Sequence, residues 1–487
     1  MRLSSYSSEP TPADSPARLT GNPARDLANS FNMRVILFLV LHIPLGLIAN
    51  MSPWASTAYA LVVLLFGLRA ALLGRTSQVI YAVGYIATGE VLWRMTQSHL
   101  FWEYAKYAAV VIFFVAIVVE WGQNPSNRRL RSAMPLLLLA TLVPAVAYTV
   151  LKLGIVEARD PLSFSLSGYL MIGLFALYIW ARPINYETTI RLLLSILAPI
   201  VSVTFLAIYF MITDLDALVF VGESNFITSG GFGPNQVSSV MGFGAFIAVM
   251  LLIIIPRASG ARALILLVMV TMLIQGLLTF SRGGVYSFVL ALGVFSFHLM
   301  STPKARGRLV VLFAVFSILL VTVVYPVLEQ FTAGGLSERF TDLDTTGRFE
   351  AAEGDLKAFY DNPFLGVGVG QADVYRYEYL GIYAAAHTEY TRLLGEHGLF
   401  GIFALAIMLW MLLKQYLANE PGIGRALTAG LAAWALSTML HAATRLAIVP
   451  LALSLALALW QIKEVAKPME PEPGQQLPIW PERRMPR

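Results

Sequence analysis

The sequence of 487 residues contains no cysteine and few charged side chains. Without cysteine the chain forms no disulfide bridge and offers no thiolate for a metal or redox site. Charged residues make up 13% of the chain, against roughly 25% in a typical soluble domain. The formal net charge is +5, and no basic tract typical of nucleic-acid binding is present. We therefore expect no nucleic-acid partner and no ordinary soluble fold.

The hydrophobic residues, 57% of the chain, form long runs. Each run approaches the roughly 20 residues that an α-helix needs to cross a bilayer core. The pattern predicts an all-α fold, a polytopic transmembrane helical bundle of about 12–14 helices, with one large extracytoplasmic loop that contains short helices. The runs lie at 34–50, 56–74, 77–96, 104–121, 133–152, 165–181, 192–212, 236–255, 263–280, 284–300, 309–327, 398–416, 427–444 and 447–462.

These runs divide the chain into five segments. Residues 1–32 are polar, lack the features of a signal peptide and predict a disordered cytoplasmic tail. Transmembrane helices are expected at 33–327 and 398–462, on either side of a large periplasmic loop at 328–397. Residues 463–487 are rich in proline and glutamate and predict a second disordered cytoplasmic tail.

The orientation follows from the basic residues, because short cytoplasmic loops carry an excess of lysine and arginine. With the N-terminus in the cytoplasm, the short basic loops fall on the cytoplasmic side and loop 328–397 faces the periplasm. The basic residues that support this orientation are Arg69, Arg75, Arg128, Arg129, Arg131, Arg182, Arg257, Arg262, Lys304, Arg306, Arg308, Lys414 and Arg425.

Arg282 lies in a glycine-containing turn between two apolar runs and is the first candidate site residue. Arginine is costly near a bilayer, and its planar fork suits phosphate oxygens, so we expect it to bind a diphosphate. The alternative is a snorkelling interfacial arginine. Arg348, Arg392 and Arg445 fall on the same predicted side. Each alone is more typical of a structural residue, but together they form a candidate anion-binding rim.

His387 lies at the end of the predicted loop, just before the chain returns to the membrane. A histidine accepts a proton near neutral pH, as a general base must. A lone histidine is more often a satisfied polar residue, and the nearby arginines favour the catalytic interpretation; His397 and His441 show no such context. Asn235 and Gln236 open an apolar run, where helix-start chemistry is the ordinary interpretation. They could also line a sugar-binding cleft.

Two further patterns are weak. Gly366, Gly368 and Gly370 resemble a nucleotide-binding loop but follow no predicted strand, so turns with positive φ are the better interpretation. The pairs Asp214–Asp216 and Asp342–Asp344 could coordinate a divalent metal with a diphosphate. Short acidic pairs are common in loops, however. We therefore predict no metal site and no cofactor.

Six motifs between about residue 233 and residue 401 resemble the O-antigen ligase and polysaccharide polymerase superfamily of bacterial inner-membrane proteins. Each motif is degenerate alone, but the ordered set is specific. Many relatives carry His-Asn where this chain has His387-Thr388. The motifs are Gly233-Pro234-Asn235, Ser281-Arg282-Gly283, Thr346-Gly347-Arg348, Asn362-Pro363-x-x-Gly366-x-Gly368-x-Gly370, His387-x-x-Tyr390 and Glu396-x-Gly398-x-x-Gly401.

The resemblance implies a membrane glycosyltransferase that takes a glycan from an undecaprenyl-diphosphate donor on the periplasmic side and passes it to a lipid or glycan acceptor. It also implies an inverting, metal-independent transfer, in which His387 helps to activate the acceptor hydroxyl and Arg282 holds the diphosphate. Ligation of O-antigen and polymerisation of O-antigen or exopolysaccharide repeat units share this donor chemistry, so both remain open.

A polytopic transporter or flippase for lipid-linked sugars, without transfer chemistry, is the competing class of protein. It predicts charged residues along the middle of the helices, where Glu90 and Arg94 are the clearest candidates. No internal repeat or matched pair of broken helices supports it. The other residues of interest cluster at one predicted face, which favours an enzyme. A peptidoglycan-type polymerase would share the donor class but fits the ordered motifs less well.

Overall fold

A computed structural model describes residues 23–462 except 124–130, 221–222, 257–258, 301–305, 308–309, 311–313, 315–317, 319, 343–346, 382 and 384–385. Most of the predicted N-terminal tail and all of the predicted C-terminal tail lie outside the described residues. So do the basic residues Arg128, Arg129, Arg257, Lys304 and Arg308.

The fold is all-α, as predicted, and its helices account for most of the described chain. Helices α1–α10 are Pro23–Met51, Pro53–Leu72, Thr76–Met95, Tyr104–Gln123, Met134–Leu153, Arg159–Ile179, Tyr186–Thr213, Pro234–Ile254, Ala261–Leu278 and Arg282–Leu299. Helices α11–α18 are Tyr325–Phe331, Gly335–Thr341, Arg348–Asp361, Asp373–Leu380, Glu389–His397, Leu399–Ala418, Ile423–Thr438 and Ile448–Leu455. Strands β1 and β2 are Pro183–Asn185 and Leu459–Gln461.

Ten of the described helices are long and apolar enough to cross a membrane: α1, α2, α4–α10 and α16. The prediction of a polytopic helical bundle is therefore confirmed. Helix α3 also has 20 residues but carries Glu90 and Arg94, and α17 has 16 residues. Of the apolar run predicted at 309–327, residues 309, 311–313, 315–317 and 319 lie outside the described residues.

Two segments differ from the sequence prediction. Helix α1 begins at Pro23, inside the predicted tail, where proline occupies a first helical position that it tolerates well. The last predicted run is not one helix, because α18 ends at Leu455. Its 8 residues span about 12 Å, too little for a bilayer core of roughly 30 Å. The chain then turns into β2, which pairs in parallel with β1.

Helices α7 and α8 form the centre of the bundle, and 83% of each membrane segment is buried. Both are apolar on all sides, which is typical of a helix surrounded by others. Helix α7 packs against α1 and α3, and α8 packs against α9 and α10. The start of α8, with Asn235 and Gln236, is therefore held at the middle of one end of the molecule.

The short helices α11–α15 lie at the same end as the start of α8. We call this the outer end; it also contains the connections 96–103, 154–158, 214–233, 279–281 and 439–447. Hydrogen bonds tie the short helices to the rest of this end, as between Glu389 of α15 and Thr444 and between Arg348 of α13 and Asn235 of α8. The large loop with short helices predicted from the sequence thus corresponds to α11–α15.

Glycines bring α8 and α10 into backbone contact near the outer end. A Cβ at Gly284 would lie 2.2 Å from the carbonyl oxygen of Ser238, and one at Gly242 would lie 2.4 Å from that of Gly284. Small residues allow such close approach between membrane helices. Ser238 also donates a hydrogen bond to the carbonyl oxygen of Ser281 (2.8 Å). The turn that holds Arg282 is thereby fixed relative to the start of α8.

We expect Gly284→Ala to lower the free energy of unfolding by about 1–3 kcal/mol, because the new methyl group overpacks the helix contact. Gly293→Ala is the matched control on the same helix, since a Cβ there meets no atom within 4 Å. The control should be neutral or stabilising by about 0.5–1 kcal/mol. Thermal unfolding in detergent measures both variants, and equal melting temperatures would contradict the backbone contact.

Candidate functional site at the outer end

Helices α13, α14 and α15 are tied together by a buried ion pair. A Cβ at Gly354 of α13 would lie 2.8 Å from the Cα of Arg376 in α14, so only glycine permits this crossing. The Asp355 carboxylate then accepts hydrogen bonds from Arg376 (2.5 Å) and from Thr391 of α15 (2.9 Å). Burial raises the pKa of Asp355, although Arg376 opposes the change. The helices α13, α14 and α15 are therefore held together as one unit, which we call the support.

The glycine motif of residues 366–370 packs against the end of α15. Gly366, Gly368 and Gly370 all have positive φ, which confirms the turn interpretation. The N–H groups of Val367 and Gly368 donate to carbonyl oxygens at the C-terminus of α15 (2.9 and 3.2 Å). The motif therefore positions α15 and forms no nucleotide-binding unit with a preceding strand.

Glu389 anchors α15 to the membrane helices. Its buried carboxylate accepts hydrogen bonds from the Tyr169 hydroxyl of α6 (2.5 Å), from the Thr444 N–H (3.0 Å) and from Arg392. Burial alone would raise the pKa of Glu389, but Arg392 and the hydrogen bonds hold it below its ordinary value. A charged group thus joins α6, α15 and the connection 439–447.

The predicted anion-binding role of Arg392 disagrees with its position. The side chain is only 7% exposed and donates to Glu389 and to Glu396 (3.1 Å). It also donates to the carbonyl oxygen of Ser165 on α6 (3.3 Å). Since both neighbouring carboxylates already neutralise it, we assign Arg392 a positioning role in the support beneath His387.

His387 lies in a positively charged environment. Burial, together with Arg445, Arg348 and Arg376, lowers the pKa of His387 to about 4. Its imidazole is therefore neutral at neutral pH and is able to accept a proton. Arg445 donates to the carbonyl oxygen of Ala386, directly before His387. Burial and neighbouring arginines lower the pKa of Arg445 to about 10, so this group stays positively charged.

Asn235 joins three of the predicted motifs. Its Oδ1 accepts hydrogen bonds from the Ser281 hydroxyl (2.6 Å) and from Arg348 (3.3 Å). Arg282, the first residue of α10, donates to carbonyl oxygens of α12 and of the residue directly after α12. Burial, then Arg282 and Arg339, lower the pKa of Arg348. The fold therefore concentrates guanidinium groups around Asn235.

Gln236 faces α3. Its Oε1 accepts a hydrogen bond from Arg94 (2.9 Å), which also pairs with Glu90 (2.8 Å) and lies 4.2 Å above the ring of Trp102. The other oxygen of Glu90 accepts from the N–H of Ala447 (2.7 Å). Glu90 and Arg94, the two candidates for a transport path, thus form a buried pair at the outer end. Arg94 holds Gln236, and Glu90 holds the connection 439–447.

His441 joins the site without having been predicted. Its Nε2 lies 3.1 Å from the Ser287 hydroxyl oxygen, and a Cβ at Gly283 would lie 2.4 Å from its Nδ1. Burial, Arg348 and His387 lower the pKa of His441 to about 4. This contact explains the glycine of the Ser281-Arg282-Gly283 motif. No sequence signal marks His441 itself, because it falls inside the predicted apolar run 427–444, whereas the structure ends the helix at Thr438 and places His441 in a turn.

Of the two acidic pairs, one member adjoins this cluster of residues, because the carbonyl oxygen of Asp342 accepts a hydrogen bond from Arg282. Asp214 and Asp216 are exposed, and the Asp342 carboxylate lies 3.6 Å from Arg339. Asp344 lies outside the described residues. Within the described ranges, no group of three or more His, Cys, Asp or Glu side chains is arranged to hold a metal ion.

We expect Glu389→Gln to cost about 3–5 kcal/mol of stability, because it removes a charged partner of the buried Arg392. The control is Glu187→Gln, whose pair with Arg191 is exposed on both sides (70% and 61%). Loss of an exposed pair should cost no more than about 1 kcal/mol. Thermal unfolding in detergent compares the two variants; shifts of equal size would refute the anchoring role of Glu389.

Residues 267–406 match the model of a protein family described as O-antigen ligase. The matched stretch runs from α9 into α16 and includes Arg348 and His387, whereas Arg445 lies outside it. A search among curated proteins finds no match to the chain. The family predicted from the six motifs is thus confirmed for residues 267–406, which form an O-antigen ligase family domain in a chain with ten described helices long and apolar enough to cross a membrane.

Proposed function

We propose that this protein transfers a glycan from an undecaprenyl-diphosphate donor to a hydroxyl acceptor at the periplasmic face of the bacterial inner membrane. The observation that carries the proposal is the position of a neutral His387 beside the arginines Arg348 and Arg445. The imidazole is unprotonated at neutral pH, as a general base must be, and its weak basicity would increase when a bound diphosphate offsets the neighbouring arginines. Guanidinium groups suit a diphosphate. Membership of the O-antigen ligase family supports glycan transfer in general.

Arg282, Arg348 and Arg445 would hold the donor diphosphate. In the described part of the chain, the buried Nε of Arg348 has no hydrogen-bond partner. Repulsion from Arg282 and Arg339 contributes to the lowered pKa of Arg348, and a bound anion would relieve it. Fixed cations in a low-dielectric site stabilise negative charge that develops on a leaving group. The proposed transfer therefore needs no metal ion.

His387 would accept the proton of the acceptor hydroxyl. The acceptor oxygen forms a bond to the anomeric carbon of the donor, while the bond from that carbon to the diphosphate oxygen breaks. The diphosphate leaves with the electron pair, and attack from the opposite face inverts the configuration. Asn235 and Gln236 would line the path of the glycan. Their fixed partners, Ser281 and Arg94, hold both amides in place.

We expect His387→Ala to lower kcat by about 10²–10⁴-fold, because it removes the general base. Arg348→Ala should mainly raise the KM for the donor. Arg191→Ala serves as control, since this side chain is 61% exposed at the opposite end of the molecule. Wild-type turnover by His387→Ala would overturn the assignment.

The transfer itself is tested with purified protein, a lipid-diphosphate-linked oligosaccharide, and either lipid A core or no added acceptor. Glycan on lipid A core identifies a ligase, and a ladder of lengthened lipid-linked glycan identifies a polymerase. Movement of the lipid-linked sugar across vesicle membranes without either product would identify the transporter class instead.

The pH dependence should differ between the free enzyme and the donor complex. Before donor binds, the low pKa of His387 places the acid limb of kcat/KM at about pH 4. A bound diphosphate offsets the charges of Arg445 and Arg348, which raises the pKa of His387, so the acid limb of kcat should lie at higher pH. Profiles of both constants test this relation. If the acid limbs of kcat and kcat/KM both lay near pH 6.5, the expected shift on donor binding would be wrong.

A further inference from the structure

A cavity of about 820 Å³ opens at the outer end between α4 and α6. This volume is in the range of roughly 300–1,000 Å³ found for small-molecule sites. None of the residues assigned to the donor diphosphate lines it. Tyr169, which contacts Glu389, does not line the cavity. The cavity is therefore distinct from the residues proposed to hold the donor diphosphate.

One wall of the cavity is an apolar stripe. Leu162, Leu166 and Leu170 follow one another at intervals of four residues and so lie on one face of α6. The stripe extends about 12 Å along the helix, from the outer end towards the middle of the bilayer. Its length and direction suit a hydrocarbon chain that enters from the lipid side.

The lining of the cavity also includes polar side chains, among them a buried carboxylate. Glu103 is 4% exposed; one of its oxygens accepts hydrogen bonds from Lys106 and from Ser167 (2.9 Å). Its Oε1 has no hydrogen-bond partner in the described part of the chain. A buried acceptor without a partner is costly, and a ligand hydroxyl would satisfy it. Tyr107 and Ser163 add hydroxyl groups nearby.

Trp102 connects the cavity to the donor site. Its indole lines the cavity, lies beneath Arg94 and has its ring centre 6.1 Å from that of Phe232. Arg94 in turn binds Gln236. The side chains of Trp102 and Phe101 are 49% and 58% exposed and offer faces on which a sugar ring can stack. Exposed aromatic residues are also common at membrane interfaces, but that role does not account for the buried Glu103 oxygen.

We propose that this cavity binds a lipid-anchored glycan, the acceptor of the transfer. Its hydrocarbon tail lies along the leucine stripe, and its first sugar lies against Trp102 with a hydroxyl donated to Glu103. The remaining glycan crosses Trp102 towards Gln236 and His387. This assignment rests on the proposed function and adds the place where a glycolipid acceptor binds, the cavity between α4 and α6.

The test compares two acceptors that carry the same glycan on a long or a short, water-soluble tail. In the wild type the long tail should lower the acceptor KM by about tenfold or more, because it buries additional methylene groups. Leu166→Trp fills the stripe and should abolish this difference while the donor KM stays unchanged. Leu267→Trp is the control, because Leu267 lies on α9 and its side chain is 62% exposed. This variant should retain the difference in acceptor KM between the long-tailed and short-tailed acceptors.

A second measurement does not depend on turnover. A long-tailed acceptor glycolipid with a photoreactive group in its tail should crosslink to residues 162–170 of the wild type and not of Leu166→Trp. Leu170→Phe, a smaller change on the same stripe, replaces Leu166→Trp if the latter folds poorly. Two outcomes overturn the cavity assignment and leave the proposed function standing. One is crosslinking to other residues. The other is a Leu166→Trp variant that still transfers glycan and still shows the wild-type difference in acceptor KM between long and short tails. Absence of transfer by the wild type instead overturns the proposed function, and with it the acceptor role.

Discussion

The buried carboxylate of Glu389 is the interaction on which the outer end depends. It joins a membrane helix, the helix after His387 and the connection that carries His441 and Arg445. A buried charge is costly unless good hydrogen bonds surround it, and here both oxygens are used. Chain segments that are far apart in sequence are thereby held in one arrangement. The positions of the proposed base and of the cations depend on this arrangement.

Charges at the outer end are organised in two different ways. Arg376 and Arg392 are paired with buried carboxylates and belong to the support. Arg348 and Arg445 instead have arginines as their main charged neighbours, and beside them the two histidines are neutral. A site in which arginine side chains lie near one another and are not paired with carboxylates is suited to bind an anionic ligand. The division separates residues that shape the site from residues suited to bind substrate.

Much of the fold could be predicted from composition, because a chain in lipid must satisfy its backbone hydrogen bonds within helices. The ordered motifs also indicated the family. The pairing of Arg392 was visible in principle, since Glu389 and Glu396 stand three and four residues away on the same helix. His441 was not visible, because its contacts, Gly283 and Ser287, lie on α10, far away in the sequence. The end of α18 was equally hidden: the turn at Ala458 is held by Gln415 and Asn419 of another helix.

On the proposed function, the arginines around His387 would also affect the release of the spent lipid carrier. Once the sugar has left, the carrier retains the same two phosphates and exposes an additional ionisable oxygen. Cations placed for the donor therefore hold the spent carrier at least as firmly. On the proposed function, the turnover of the enzyme is governed by departure of that carrier into the bilayer, as in many enzymes where product release is slow. The supply of fresh donor and the removal of spent carrier by other membrane enzymes would then set the rate of glycan assembly.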